Sequence, residues 1–285
     1  MSCLGRVVMN RFPRHVTLVL VLAAQVCRSA PALAEDPAPS ARTIEAVRQM
    51  REEVGKLKVA VEGRPKGVVA ELRAEPILRY TDPQREFPDA TLWVWTIDGR
   101  PALFSKLERM TQNRIQTWQF CLSAVNDDRI SVRFGQGIVW KSKAAGLKFQ
   151  AMKDQPPLPK TTELRLAQMR SAARRFNAST TDGENMKEEM RLLTQPMLRY
   201  SSEAQSILDG AVFGIASNGT NPDALMLIQY RKSEGQLEPI LEYGFLGMSA
   251  DEVTVTLDGV TVFTHARRNA PGDHGHWLWL LLSSD

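Results

Sequence analysis

The chain has 285 residues, of which 43% are hydrophobic and 24% charged, a balance that suits one or two packed globular domains. Its formal charge of +4 resides in the first 34 residues, which hold four of the 36 basic side chains and none of the 32 acidic ones. The remainder is evenly balanced and offers no positive excess for a phosphate backbone, so nucleic acid is excluded as a partner class.

Residues 1–34 read as a signal peptide. Arg6, Arg11 and Arg14 form a basic start, Val16 to Val26 an apolar run, and Ala32-Leu33-Ala34 a small-x-small cleavage pattern. The apolar run is shorter than the roughly 20 residues needed to span a bilayer. The expectation is export through the inner membrane to the periplasm or the medium, with no transmembrane segment left after cleavage. Cys3 and Cys27 leave with that segment. Cys121 then stands alone, and an internal disulfide is ruled out.

Residues 35–42 are a Pro/Ala spacer, expected to be flexible. A helix is predicted from Thr43, with Ile44, Val47, Met50, Val54, Leu57 and Val61 three or four apart on one face. The period then drops to two. Strands are expected at 68–80, 90–96, 102–108, 116–125, 129–134 and 137–141, separated by turn signals at Asp98-Gly99, Asn126-Asp127-Asp128 and Gly135 to Gly137. Prolines in 153–160 end the first unit, which covers 43–152. The second unit, 161–285, opens with a helix at Thr161 or Thr162 that carries Leu166, Met169, Ala173 and Phe176. Strands are expected at 188–200, 211–216, 224–231, 237–247, 252–257 and 260–265, and His276 to Leu282 should close the second sheet.

The two units echo each other at an offset of about 120. Pro76-Ile77-Leu78-Arg79-Tyr80 returns as Pro196-Met197-Leu198-Arg199-Tyr200, and Asp89 returns as Asp209. Such self-similarity predicts duplicated structure. The expected fold is α+β, with two similar repeated units, each an N-terminal helix packed on a mostly antiparallel β-sheet. A compact variant packs the two sheets face to face with the helices outside.

Trp93, Trp95, Trp118 and Trp140 match apolar residues in the second unit, which assigns them to packing. The repeated polar residues are the candidate ligand-binding set: Arg79, Tyr80, Arg199 and Tyr200. Guanidinium forks near a pseudo-two-fold axis could hold a small anionic ligand. Alternatively, each Arg pairs with the carboxylate of its own unit, Asp89 or Asp209. Asp273, His274 and His276 are a candidate metal set, since imidazole and carboxylate suit zinc or copper. No nucleophile elbow, phosphate loop or zinc-protease helix occurs, so no catalytic residue and no cofactor is assigned. The functional expectation is an exported, non-enzymatic protein that binds a small anionic ligand or a protein partner. The alternative is an extracytoplasmic hydrolase with its site at the interface between the units.

Two resemblances sharpen these expectations. Asp89 to Pro101 resembles the first hairpin of flavin-binding split barrels, but Asn218-Gly219-Thr220-Asn221-Pro222 replaces the Asp-Gly-Arg-Pro turn in the second unit. Gln168-Met169-Arg170, Leu192 to Ser201, Asp209 to Phe213 and Gly219 to Leu225 together resemble exported tandem-repeat proteins of planctomycete-type bacteria with no established activity. That resemblance spans nearly all of the chain after residue 34. It implies export and a tandem fold, and it transfers no catalytic residue.

Overall fold

The computed structural model describes residues 41–62, 68–112, 115–125, 129–134, 137–143, 147–181, 183, 186–233, 235 and 237–283. The expected signal peptide, most of the spacer and the turns at 126–128 and 135–136 lie outside these residues.

The helix predicted from Thr43 forms, but it is shorter than its apolar periodicity suggested. α1 runs Ala41–Gly55, and Leu57 to Val61, expected to extend it, is strand β1 (Leu57–Val61). Leu57, Val59 and Val61 are buried and alternate with less buried neighbours, which is the period of a half-covered strand. A two-residue strand and a hairpin follow: β2 (Glu71–Leu72), then β3 (Leu78–Asp82) and β4 (Phe87–Ile97). The first half then continues with β5 (Arg100–Gln112), β6 (Ile115–Ala124), β7 (Ile130–Phe134), β8 (Gly137–Lys141) and β9 (Gln150–Ala151).

α2 (Thr162–Ala173) is capped by Thr161, whose hydroxyl accepts from the Leu164 N–H, with Glu163 in the first turn complementing the helix dipole. Phe176, expected within the helix, instead starts β10 (Phe176–Thr181). Seven more strands complete the second half except for one short piece: β11 (Lys187–Ser202), β12 (Ile207–Ala216), β13 (Ala224–Arg231), β14 (Ile240–Gly247), β15 (Glu252–Leu257), β16 (Val260–His265) and β18 (Trp277–Ser283). That short piece is β17 (Gly272–Asp273).

Pairing corrects the predicted architecture. The described residues are mostly β, 57% of them in strands and 12% in helices, and they do not form two repeated helix-on-sheet units. Three antiparallel sheets form: β1-β7-β8, β16-β15-β10-β11-β12-β13-β14-β9, and β17-β18-β6-β5-β4-β2, with β3 also on β4. Strand order differs between the halves. β10, β15 and β16 continue the large sheet through the long β11, whereas β1, β7 and β8 stand apart as a sheet of their own. The halves also exchange strands. β18, expected to close the second sheet, pairs with β6 of the first half from Trp277↔Ser123 to Ser283↔Thr117. In return β9 pairs with β14.

The layering explains the strand sequences. Leu92, Val94 and Phe104 of one large sheet meet Leu198, Val212, Leu225, Leu227 and Leu246 of the other in a shared core. On the far face of the seven-stranded sheet, Trp93, Trp95, Trp118 and Phe120 pack with Met50 and Val54 of α1 and with β1 and β7. On the far face of the eight-stranded sheet, Phe213, Met226, Ile228 and Phe245 pack with Met169 and Ala173 of α2. Central strands buried on both faces read as continuous apolar runs, as in Leu92 to Trp95 and Ala224 to Ile228. The two large sheets thus share one core, with α1 and the β1-β7-β8 sheet on the far face of one and α2 on the far face of the other. No described helix is long and apolar enough to cross a membrane.

Candidate functional site

Polar residues at one end of the inter-sheet layer build the site. Tyr80 faces Ala90, Ala90 faces Glu108, and Glu108 faces Gln119, so four strands bring one row of side chains onto the inner face. Tyr80 donates its hydroxyl to Glu108 Oε1 at 2.8 Å, and Gln119 Nε2 donates to Glu108 Oε2 at 2.5 Å. Lys106 lies two residues along β5 on the same face, with Nζ 3.4 Å from Glu108 Oε1. Its ammonium donates to the Met248 carbonyl at 3.1 Å and sits 5.7 Å from the centre of the Tyr80 ring. Glu108 is 1% exposed and Lys106 3%, so the pair is removed from water and depends on these bonds. Burial, then the Glu108 charge and hydrogen bond, push the Tyr80 phenol well above its ordinary value and keep it a donor.

A second cluster joins the sheets beside the first. Arg85, in the turn between β3 and β4, reaches Asp82 at 3.1 Å, Asp223 at 2.9 Å and Asp251 at 3.4 Å. Asp82 also accepts from Asn221 Nδ2 at 2.8 Å and from the Arg85 backbone N–H. Burial pushes the Asp82 carboxyl upward, but these two donors and the Arg85 charge hold it below its ordinary value. The Arg85 guanidinium is itself penalised by burial, yet Asp223, Asp82 and Asp251 raise its affinity for the proton. Asp223 Oδ2 accepts from both the backbone and hydroxyl of Ser217 at 2.8 and 2.7 Å.

Between these clusters and β18 lies a cleft of about 270 Å³. Arg85, Lys106, Glu108, Asn221 and Asp251 supply its polar lining, and Phe87, Met110, Met248, Trp277 and Trp279 its apolar walls. Trp277 is fixed between two histidines, stacked on His274 at 5.3 Å and edge-on to His265 at 5.4 Å. The His265 Nε2–H donates to the Ser249 carbonyl at 2.9 Å. Burial lowers its pKa to about 4, against the opposing pull of that carbonyl, so the ring is held neutral. Only a glycine fits behind it: a Cβ on Gly247 would lie 2.2 Å from His265 Nδ1. Three buried polar atoms of the lining have no protein partner: Asn221 Oδ1, Trp277 Nε1 and Trp279 Nε1.

Of the sequence-predicted ligand set, the structure brings only Tyr80 near this cleft. Arg79 forms a two-pronged pair with Asp89 at 2.9 and 3.0 Å. Arg199 donates to Asp209 Oδ1 at 2.6 Å, and Arg165 of α2 donates to Asp209 Oδ2 at 3.0 Å. Both repeated arginines therefore bind a carboxylate of their own half, and neither lines the cleft. Tyr200 donates to Gln229 Oε1 at 2.8 Å within the core. The predicted metal residues are dispersed among other partners. Asp273 accepts from Trp140 Nε1 and the Gly275 N–H and pairs with Lys143, while His274 stacks on Trp277. Among the described residues no three metal-capable side chains converge.

Chemically, the cleft offers fixed charges and dipoles more than reactive groups. Cys121 is in the wall, but burial and the Glu108 charge push its thiol far up, which denies it thiolate character. The residues that build the cleft were missed because each was judged alone. A signal existed: Lys106 and Glu108 alternate on one strand, opposite Leu92 and Ala90, and the equivalent places in the other sheet, opposite Val212 and Gly210, hold Leu227 and Gln229.

No protein-family model, no curated protein and no solved structure matches the chain.

Proposed function

We propose that the chain is an exported, non-enzymatic binding protein that takes a small ligand in the cleft between its two large sheets. The observation that carries this is a cleft of about 270 Å³ that gathers Arg85, Lys106, Glu108, Asn221 and Asp251 against apolar walls that include Trp277 and Trp279. A preorganised polar set on apolar walls is the usual form of a small-molecule site. Export rests on the basic and apolar start of the chain and its Ala-Leu-Ala pattern. The convergence of Arg85, Lys106, Glu108 and Asp251 in one cleft favours the hydrolase alternative. The binding reading is preferred because Arg85, Lys106 and their carboxylates are engaged with one another and the Cys121 thiol beside them is kept protonated by burial.

The test is to purify the full chain from its own cells, denature it, and identify the small molecules released. An Ala250→Trp variant, which fills the cleft, serves as control. A compound released by the wild type and absent from the variant supports binding at this site. Identical release from both proteins, or none from either, overturns it. A released compound that the protein slowly cleaves on re-addition would favour the hydrolase.

A further inference from the structure

We infer that the outer face of the β1-β7-β8 sheet docks the protein on an anionic lipid surface, whatever the cleft holds.

The even charge of the chain after residue 34 conceals a local excess. Residues 56–69 and 126–143, which contain this sheet, hold eight basic side chains and three acidic ones. Alternation sorts the described ones between two faces. Leu57, Val59, Val61, Ile130 and Val132 point into the core. Lys58, Arg133 and Lys141 therefore stand on the outer face, and exposed Arg129 and Lys143 continue it beyond the strand ends. Lys141 pairs with Glu62 and Lys143 with Asp273. Among the described residues, Lys58, Arg129 and Arg133 have no carboxylate partner. Lys58 stands directly opposite Arg133 in the ladder. Like charges so placed repel, and an external anion relieves them.

The shape of the face selects the kind of anion. Ala60 and Ser131 face each other at its centre, so no large side chain stands up between the cations. A hollow of about 350 Å³ beside Arg129, Lys141 and Lys143 is large enough for a headgroup phosphate. Val69 lies directly opposite Ala60 and is 64% exposed, which adds an apolar contact on the same side. A lipid interface satisfies both the charges and the valine. A nucleic-acid strand asks instead for a groove that tracks its backbone and for exposed rings that stack its bases. Trp140 of β8 is only 3% exposed and offers no such ring.

The test sediments protein purified from its own cells with phosphatidylcholine vesicles that contain or lack phosphatidylglycerol. Binding in low salt should require the anionic lipid, and it should be lost at about 0.5 M salt, where exposed charges are screened. Each cation near an anionic surface is worth about fivefold in partition, so Lys58→Gln, Arg129→Gln and Arg133→Gln together should weaken binding at least about tenfold. All three side chains are exposed, so this variant should melt at the wild-type temperature or slightly above it, with the Lys58–Arg133 repulsion gone. A control variant with Lys153→Gln, Lys160→Gln and Lys232→Gln loses the same charge from exposed sites elsewhere and should lose less than about twofold. Any contribution of the basic first residues is common to all three proteins and drops out of the comparison. Equal binding to both kinds of vesicle overturns the assignment, as does a face variant that binds like the wild type or a control that loses as much. Tighter binding to a DNA duplex than to the vesicles at the same salt, lost in the face variant, also overturns it and gives the face to nucleic acid.

Discussion

Two rows of side chains, one in each large sheet, occupy matching places and do different things. In the seven-stranded sheet the row is Tyr80, Ala90, Glu108, Gln119; in the eight-stranded sheet it is Tyr200, Gly210, Gln229, Glu242. In both, the tyrosine hydroxyl donates to the side chain two strands away. The central acceptor is a carboxylate in the first row and an amide in the second, and the outer residue is exchanged in the opposite sense. Lys106 accompanies Glu108, whereas Leu227 occupies the corresponding place beside Gln229. Moving the carboxylate inward by one strand demands a buried cation. That pair opens onto a cleft, while the second row is closed by Leu198, Leu227 and Leu246. The same scaffold thus holds its carboxylate centrally beside a cation in one row and on the outer strand in the other.

The largest test converts one row into the other. Glu108→Gln should destabilise the protein by about 3–5 kcal/mol in urea unfolding, because it leaves the Lys106 ammonium buried without its carboxylate. Lys106→Leu added to it reproduces the Leu227 and Gln229 chemistry and should restore most of the loss. A double variant as unstable as the single one would mean that the pair does not act as a unit.

Acid tests the charged end from outside the row. His265 buttresses Trp277, and its folded pKa of about 4 is below the unfolded value of 6.5. The folded state therefore binds fewer protons, so its stability is full above pH 6.5 and falls as pH drops toward 4. For a group 3% exposed, the loss should be on the order of 3 kcal/mol. The depressed Asp82 carboxyl adds a loss of the same sign at lower pH. Denaturant melts from pH 7.5 to 4 should show this slope for the wild type and a shallower one for His265→Gln.

The second row is vulnerable at a place where the first is not. The Tyr200 ring lies over Gly210, where a Cβ would come within 2.5 Å of it, whereas Ala90 sits opposite Tyr80. Gly210→Ala should cost about 1–3 kcal/mol through overpacking, and Ala90→Gly less. Thermal melts of the two variants measure the difference, and a harmless Gly210→Ala would show that the Tyr200 ring can shift aside.

The local elements were legible because both periods are strong: the long strands fall close to where alternation and turn pairs put them, except that the strand expected at 68–80 is broken into β2 and β3. Architecture was not, because a repeat in sequence does not fix how strands are shared. Nothing in Trp277 to Leu282 says whether its partner is a strand of its own half or β6, and burial on one face satisfies either choice. Leu57 to Val61 illustrates a second limit. Its apolar residues fit both a helical and an alternating period, and the end of α1 at Gly55 decides between them. The site was obscured for a third reason. Repetition drew attention to Arg79 and Arg199, whose carboxylates are repeated with them, while the cleft is made by residues that differ between the rows.

The smallest test reads the central acceptor directly. Tyr80→Phe removes a bond to a buried carboxylate, and hydrogen bonds to charged groups contribute about 1.5–3 kcal/mol. Tyr200→Phe removes a bond to a neutral amide, for which about 1 kcal/mol is expected. Both rings are buried and both substitutions keep the aromatic body, so packing is nearly constant across the pair. The difference, about 1 kcal/mol, isolates the charge on Glu108. It should vanish when Tyr80→Phe is made in the Glu108→Gln, Lys106→Leu background, where both rows present an amide. Equal losses from Tyr80→Phe and Tyr200→Phe in the wild-type background would show that the two rows are energetically alike, and would remove the physical ground for treating the Tyr80 end as the distinct one.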